Sequence, residues 1–246
     1  MLDVLINRLR NRSLNVCFCT LAIHAPYRRR ARLLCADAPH LSWIVLTDEP
    51  DEFADLPVCA IRHFPTGPMA IDFLTNLPPT GNGRGRPAYH DKRFVVRAAL
   101  DKFDTAIFVD ADSRIEPLPR LRFFPRGLAV VPEVRTSISE HLKKWGSSRL
   151  GAFEELAHHL TGNIEVLKSA RWCGEALFAV TKDGCESKFL ETWEIGADFL
   201  KSRGVFTGEG GVNGLAAAQA GWDVDYKSLL RLALSIKHEG HGPKPV

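Results

Sequence analysis

Apolar residues in this chain occur in short runs, and stretches with helical spacing separate several of these runs. The runs predict buried strands at Leu14 to Ile23, Ser42 to Thr47, Val58 to Phe64, Thr105 to Val109, Gly127 to Pro132 and Glu175 to Thr181. The helical stretches are Tyr27 to Ala36, Tyr89 to Phe103, most of Ser137 to Thr161, Cys185 to Ser202 and a short glycine-rich helix closed by Gly221. Strands that alternate with helices at this spacing predict βαβ units and a mainly parallel sheet, so the expected fold class is α/β.

The length of 246 residues predicts a single domain, spanning 1–246, with three irregular segments. Residues 1–13 form an N-terminal extension, for which an amphipathic helix at a membrane surface and a packed N-terminal turn are both open. Residues 65–88 are rich in proline and glycine and predict a flexible loop, either a lid over a ligand or a disordered connection. Residues 238–246 form a tail of glycine, histidine, lysine and proline with few other residues.

Composition narrows the function classes only a little. Hydrophobic residues make up 45% and charged residues 25% of the chain, which is ordinary for a globular protein, and the net charge of +3 is too small to indicate a nucleic-acid partner. The six cysteines include no CxxC pair, so neither a zinc site nor a disulfide framework is expected. Because no signal-peptide pattern and no apolar run of membrane-spanning length is present, we expect a cytoplasmic protein, with peripheral membrane contact as an addition.

The strongest chemical signal is IFVDADS (107–113), in which three apolar residues lead into Asp110 and Asp112. Residues i and i+2 of a strand point to one face, so the two carboxylates would repel each other, and their desolvation would add a further cost. A bound cation removes both penalties, whereas the alternative is a solvated loop that begins after the strand. The carboxyl end of a sheet strand is also where open α/β sheets bind ligands, which favours a metal site.

IFVDADS resembles the DxD motif of glycosyltransferases with the GT-A fold, which use it to hold a divalent metal against the diphosphate of a nucleotide sugar. WIVLTDEP (43–50) and GEGGVN (208–213) resemble segments of the retaining blood-group-type enzymes of family six. HEGHGPKP (238–245) resembles the C-terminal segment of the glycogenin and lipopolysaccharide galactosyltransferase type of family eight, and the helix before the aspartates resembles a basic helix of both families. The resemblance implies a GT-A type, Rossmann-like, mixed and mostly parallel sheet flanked by helices.

The resemblance also implies a metal site made of Asp110, Asp112 and His238, with Mn²⁺ or Mg²⁺ as the ion. His241 is an alternative ligand, because a histidine stands where the resembled motif has glycine. Asp110 would also meet the donor ribose, and Lys244 would contact the diphosphate as a point charge. The competing interpretation of this last segment is a disordered tail.

The nucleotide-sugar donor is expected to contact two further parts of the chain. Tyr27 follows the first strand, where the resembled families place an aromatic side chain against uracil, and Ala22 and His24 would line the same pocket, with core packing as an equal alternative. Arg93 lies on the basic helix and would steady the diphosphate or reach the sugar. Lys92 is its fallback, and an ordinary solvated helix face is the alternative for both.

Glu209 is the candidate catalytic residue. In the blood-group-type pattern it faces the anomeric carbon, where a carboxylate stabilises or attacks an oxocarbenium-like centre. Asn213 also matches that pattern, whereas the glycines at 210–211 do not, and a carboxylate at a helix start is favoured by the helix dipole in any case. Glu175, close to Trp172 in the sequence, is a weaker candidate for a hydrogen bond to an acceptor hydroxyl.

Together these residues predict a metal-dependent glycosyltransferase that moves a sugar from a nucleotide-sugar donor, UDP-linked, to a glycan, lipid-linked or protein acceptor with retention of configuration. Two other functions explain part of the pattern. A haloacid-dehalogenase-like phosphatase also carries DxD after an apolar strand, with Asp110 as nucleophile, but that motif normally follows the first strand of its fold. A non-catalytic nucleotide-sugar or glycan-binding protein would keep the site without the reaction.

Overall fold

The computed structural model of the protein describes residues 15–63, 90–118, 124–131, 135–144, 147–205 and 207–239. Several predicted features lie outside these residues, namely the extension 1–13, the loop 65–88, His241, Lys244 and the tail beyond residue 239. The single-domain boundary of 1–246 therefore stays a prediction.

A six-stranded sheet forms the centre of the described molecule. Its strands are β1 (Val16–Ala22), β2 (Trp43–Thr47), β3 (Cys59–Arg62), β4 (Thr105–Val109), β6 (Gly127–Val130) and β7 (Leu177–Thr181), and β5 (Ser113–Ile115) and β8 (Ile236–His238) form a separate pair. The order in the sheet is β3-β2-β1-β4-β7-β6. The first four strands are parallel to one another, and β7 is antiparallel to both of its neighbours. The predicted mixed, mostly parallel sheet is confirmed.

The predicted helices are also present, as α1 (Ala25–Asp37), α2 (Lys92–Lys102), α3 (Ile138–Lys143), α4 (Ser147–Thr161), α6 (Glu186–Ser202) and α7 (Glu209–Gln219). Two short helices that were not predicted are α5 (Val166–Ser169) and α8 (Leu230–Ala233), and a 3₁₀ helix spans Pro50–Phe53. Local sequence explains several of the ends. Ser137 and Glu140 form a reciprocal capping box at the start of α3, and Gly221, at φ 75°, follows the end of α7.

Apolar clusters lie on both faces of the sheet, because alternate residues of a strand point to opposite sides. Cys17 and Cys19 of β1 pack with α2, α6 and α7 in one cluster, whereas Phe18 and Ala22 pack with α1 and α8 in the other. Helices therefore flank the sheet on both faces, as predicted. No helix in the described ranges is long and apolar enough to cross a membrane.

The two-stranded sheet determines where the chain's C-terminal part lies. Strand β5 begins one residue after Asp112 and pairs antiparallel with β8, with Ser113 opposite His238. The backbone N–H of Glu239 also donates to the carbonyl oxygen of Asp112, at 2.9 Å. This pairing brings His238 to the carboxyl end of β4, where the two aspartates lie.

Candidate functional site

Asp110 and Asp112 lie in the turn that joins β4 to β5. The backbone N–H of Asp110 donates to the carbonyl of Ala176 next to β7, and the N–H of Ser113 donates to the carbonyl of Asp110, at 2.8 and 3.1 Å. The turn is therefore fixed by backbone hydrogen bonds. It leaves Asp110 partly exposed and Asp112 buried, at 6% exposure.

The two aspartates and His238 form a candidate metal-binding group. One ligand atom from each residue lies within 4.8 Å of the others, and Nδ1 of His238 is 3.1 Å from Oδ1 of Asp112. Two carboxylate oxygens and one imidazole nitrogen suit a divalent ion such as Mn²⁺, and the oxygens also suit Mg²⁺. The three residues predicted as metal ligands are thus brought together by the fold.

Asp112 has a cationic neighbour in addition to the imidazole of His238. Nη1 of Arg30, from α1, lies 3.6 Å from Oδ2 of Asp112. Burial would raise the pKa of Asp112, but the hydrogen bond to His238 and the charges of His238 and Arg30 outweigh it, and the pKa lies below its usual value. Asp112 is therefore ionised at neutral pH and available to a cation.

The ammonium group of Lys92 lies between the partly exposed Asp110 and the buried Glu209. Its Nζ lies 2.9 Å from Oδ1 of Asp110 and 2.6 Å from Oε1 of Glu209, and it donates to the carbonyl oxygen of Glu175 at 3.0 Å. Burial opposes the charged form, but Asp110, Glu209 and Glu175 together hold the pKa of Lys92 above its usual value. Lys92 is therefore protonated, and its charge is shared between carboxylates.

Glu209, the first residue of α7, is fully buried. Apart from the contact with Lys92, neither carboxylate oxygen has a hydrogen-bond partner in the part of the chain that the structure describes. Burial and the nearby charge of Glu175 raise the pKa of Glu209 well above its usual value, and Lys92 opposes this only in part. Asn213, one helical turn later, is likewise buried, and its amide has no partner among the described residues.

Glycines allow α7 to lie directly on the segment 171–173. A Cβ at Gly210 would stand 2.3 Å from the carbonyl oxygen of Cys173, and one at Gly214 would stand 1.9 Å from that of Arg171. The N–H of Cys173 donates to the carbonyl of Gly210, and Glu175 accepts from the N–H of Gly210, at 3.1 and 2.9 Å. Glycine is needed in this part of α7 because any larger residue would push Glu209 out of position.

The structure turns Arg93 away from the aspartates. Its guanidinium donates to the carbonyl of His90 at 2.7 Å and lies 3.3 Å from Asp91 and 3.1 Å from Asp198 of α6. Neighbouring residues of a helix point about 100° apart, so Arg93 faces α6 while Lys92 faces the site. Lys92, the fallback residue, contacts Asp110 and Glu209, whereas Arg93 contacts Asp91 and Asp198, and the role of either residue in donor binding stays a prediction.

The three residues predicted to hold the base lie at the end of β1 and just after it, and β1 lies beside β4 in the sheet. Ala22 is buried, and Tyr27 in the first turn of α1 packs partly against the core. His24 adopts φ 73°, which residues other than glycine rarely do, and its N–H donates to Asp48 at 3.2 Å. Their role in base binding stays a prediction.

Sequence reasoning missed Arg30 and His141. Arg30 follows Tyr27 by three residues on a helix, and this spacing, which places two side chains on one helix face, is a signal from which it could have been identified. The ring of His141 stacks on Trp172 with centroids 3.8 Å apart, and no sequence pattern signals that contact.

Comparison with known proteins gives little beyond this geometry. No protein-family model and no curated protein matches the chain. Among solved structures, the mouse xyloside xylosyltransferase 1 in its apo form is similar to it at 10% identity, with 94% of this chain and 100% of that chain covered and a TM-score of 0.45. A likeness at this score and identity carries no argument about activity or substrate.

Proposed function

We propose that the protein is a metal-dependent glycosyltransferase that uses a nucleotide-sugar donor, UDP-linked, and retains the anomeric configuration. The observation that carries the proposal is the grouping of Asp110, Asp112 and His238 beside the buried pair of Lys92 and Glu209. Metal ligands and a buried, oriented carboxylate are the two components that transfer from a sugar diphosphate needs.

Charge balance supports a divalent cation at this site. Asp110, Asp112, Glu175 and Glu209 carry four negative charges when ionised, and Lys92 and Arg30 supply two positive ones, which leaves an excess that one divalent ion would neutralise. Asp110, Asp112 and His238 would hold Mn²⁺ or Mg²⁺. When bound, the ion supplies positive charge to the departing diphosphate. Lys244 stays a proposed diphosphate contact.

The buried pair accounts for the catalytic role proposed for Glu209. A carboxylate in a water-excluded site interacts strongly with a developing positive charge at the anomeric carbon. Lys92 keeps that carboxylate from repelling Asp110, since its Nζ contacts both. A single ammonium group, that of Lys92, therefore links Glu209 to Asp110 of the metal group. In this proposal Glu209 acts by stabilising or attacking the sugar cation.

The remaining contacts belong to the same proposal. Ala22, His24 and Tyr27 would hold the base, and backbone strain of the kind seen at His24 is concentrated at functional sites. Glu175 accepts from Gly210 and shares Lys92, so we assign it to supporting Glu209 rather than to an acceptor hydroxyl. A glycan, lipid-linked or protein acceptor, a cytoplasmic location and peripheral membrane contact stay predictions.

Titration calorimetry of UDP tests the donor site. We expect binding to the wild-type protein in Mn²⁺, little binding without metal, and loss of binding in Asp112→Ala. Asp51→Ala is the control, because the carboxylate of Asp51 is 95% exposed and should not contribute. Failure of the wild-type protein to bind UDP with metal would contradict the proposal, and a phosphoryl group trapped on Asp110 would point to a phosphatase instead.

The anomer of the product tests retention separately. Once a UDP-sugar is identified, NMR of the first product formed should show the configuration of the donor. The inverted anomer would leave the metal-dependent donor site intact but would remove the proposed role of Glu209 at the anomeric carbon.

A further inference from the structure

Arg30 differs from the other arginines of α1 in what it faces. Arg28 lies 2.7 Å from Asp48, and Arg32 lies 2.7 Å from Asp55, so both are held by acids outside the candidate site. Arg30 instead approaches Asp112, a candidate metal ligand, and its side chain is 33% exposed. Helix α1 thus presents one arginine to the carboxyl edge of β4.

The contact between Arg30 and Asp112 is weaker than the contact between Lys92 and Asp110. Nη1 of Arg30 is 3.6 Å from the carboxylate oxygen, beyond the distance of a good hydrogen bond, whereas Lys92 reaches Asp110 at 2.9 Å and is buried. The side chain of Arg30 is partly exposed, and a charge pair at that distance is weak enough to be exchanged for a pair with another anion. The guanidinium also competes with any cation for Asp112.

The position of Arg30 along α1 indicates which anion it would bind in place of Asp112. Tyr27 and Arg30 are three residues apart and share a face of the helix, and Arg30 approaches the carboxylate that would hold the metal. In a nucleoside diphosphate, the phosphates connect the base end of the molecule to the metal. A guanidinium between these two places matches phosphate oxygens, which it binds through two parallel N–H groups.

We propose that Arg30 is a donor-binding residue that contacts the diphosphate and that its pairing with Asp112 is released when the metal binds. The inference rests on the proposed function, since it needs a nucleoside diphosphate at the same edge. It assigns opposite effects to one side chain: Arg30 hinders the metal by occupying Asp112, and it assists the nucleotide by supplying charge to the phosphates.

Two titrations on one set of variants test this assignment. Mn²⁺ alone is titrated first, and UDP is then titrated at saturating Mn²⁺, with wild type, Arg30→Gln, Arg30→Lys and Arg29→Gln. Arg30→Gln should bind Mn²⁺ at least as tightly as wild type and should bind UDP about tenfold more weakly or worse. Arg30→Lys should recover part of the UDP affinity. Arg29 is exposed on the same helix, so Arg29→Gln removes the same charge as a matched control.

The outcomes separate this inference from the proposed function. A wild-type protein that does not bind UDP in Mn²⁺ overturns both. Wild-type binding with unchanged UDP affinity in Arg30→Gln overturns the inference alone. Parallel loss of Mn²⁺ and UDP in Arg30→Gln, or an equal UDP loss in Arg29→Gln, also overturns it, because the first indicates a structural ion pair and the second a long-range charge effect.

Discussion

At the scale of single residues, the site depends on Lys92. Its ammonium contacts Asp110 and Glu209 at 2.9 and 2.6 Å, and the side chain is only 4% exposed. A buried ion pair adds little net stability, but removal of one partner leaves the other charge buried without compensation. Glu209 is that other charge, so its burial makes the protein depend on Lys92.

Lys92→Met should therefore reduce the free energy of unfolding by about 3–5 kcal/mol, because Glu209 would stay buried without its cation. The double variant Lys92→Met with Glu209→Gln should recover much of that loss. Urea unfolding at neutral pH measures both. Arg97→Met is the control on the same helix: Arg97 and Glu194 form an exposed pair, and its loss should cost no more than about 1 kcal/mol. Equal costs at the two sites would contradict the prediction.

The raised pKa of Glu209 predicts how stability depends on pH. Above pH about 4.3 the unfolded carboxyl loses its proton before the folded one does, so over this interval the folded state binds more protons and wild-type stability falls as pH rises, until the folded carboxyl ionises as well. Glu209→Gln lacks this titration. The stability of wild type relative to Glu209→Gln should therefore decline as pH rises above about 4.3 and become constant once the folded carboxyl has ionised, as measured by urea midpoints from pH 4 to 8.

Glu140 provides a control of opposite sign for the pH series. Hydrogen bonds from Ser137 lower the pKa of Glu140, so its contribution is present above the unfolded pKa and is lost as pH falls. Glu140→Gln should approach wild type at low pH and differ from it at neutral pH. A Glu209→Gln curve of the same shape as Glu140→Gln would mean that the pKa of Glu209 is not raised.

Single residues also show what sequence could not supply. The spacing identified a basic helix before the aspartates, but a shift of one residue rotates a side chain by about 100°, and only the packing of α2 against α6 selects Lys92 over Arg93. Asp110 and Asp112 could be identified as metal-ligand candidates from the sequence, because both directly follow one apolar strand. Arg30 was not, because its partner lies 82 positions later in the sequence.

At the scale of elements, the placement of Glu209 depends on how closely α7 approaches the segment 171–173. Gly214 and Gly210 allow this approach, since a Cβ at either would overlap a backbone carbonyl. A backbone atom cannot move aside as a flexible side chain does. At these two positions helix propensity favours alanine over glycine, whereas close packing against the carbonyl groups requires glycine. The packing requirement is the larger effect.

Gly214→Ala should destabilise the protein by about 1–3 kcal/mol, although alanine is the better helix former, because the added Cβ would meet the carbonyl of Arg171. Gly151→Ala in α4 is the matched control: nothing lies within 4 Å of its Cβ, and the change should stabilise by up to about 1 kcal/mol. Thermal unfolding of the two variants measures the difference. A stabilised Gly214→Ala would show that α7 does not pack this closely.

The elements themselves were largely predictable, whereas one pairing was not. The six strands of the main sheet, β1 to β4, β6 and β7, were identified because a buried strand needs continuous apolar residues. The pairing of β5 with β8 joins two strands of three residues from distant parts of the chain, and such short strands have no period to detect. His238 was predicted by resemblance alone, and the β5–β8 pair is the physical reason that it reaches Asp112.

At the scale of the whole molecule, net charge and site charge differ in sign. The chain carries +3, yet the candidate site holds more carboxylates than cations. Composition therefore gave no indication of a cation partner. Local excess of negative charge destabilises the folded state until a cation compensates it, so binding of that cation should be visible in the stability of the entire protein.

Mn²⁺ should therefore raise the thermal unfolding midpoint. A ligand at about 100 times its dissociation constant stabilises by about 2.7 kcal/mol, which corresponds to a rise of about 5–10 °C in a protein of 246 residues. Asp112→Asn should abolish the shift and His238→Ala should reduce it, because both supply ligand atoms in one group. Differential scanning calorimetry with and without Mn²⁺ makes the measurement, and Asp51→Asn, an exposed acid, is the control. An equal rise in Asp112→Asn and wild type would place the ion elsewhere on the surface and would remove the charge argument for a divalent cation at the carboxyl end of β4.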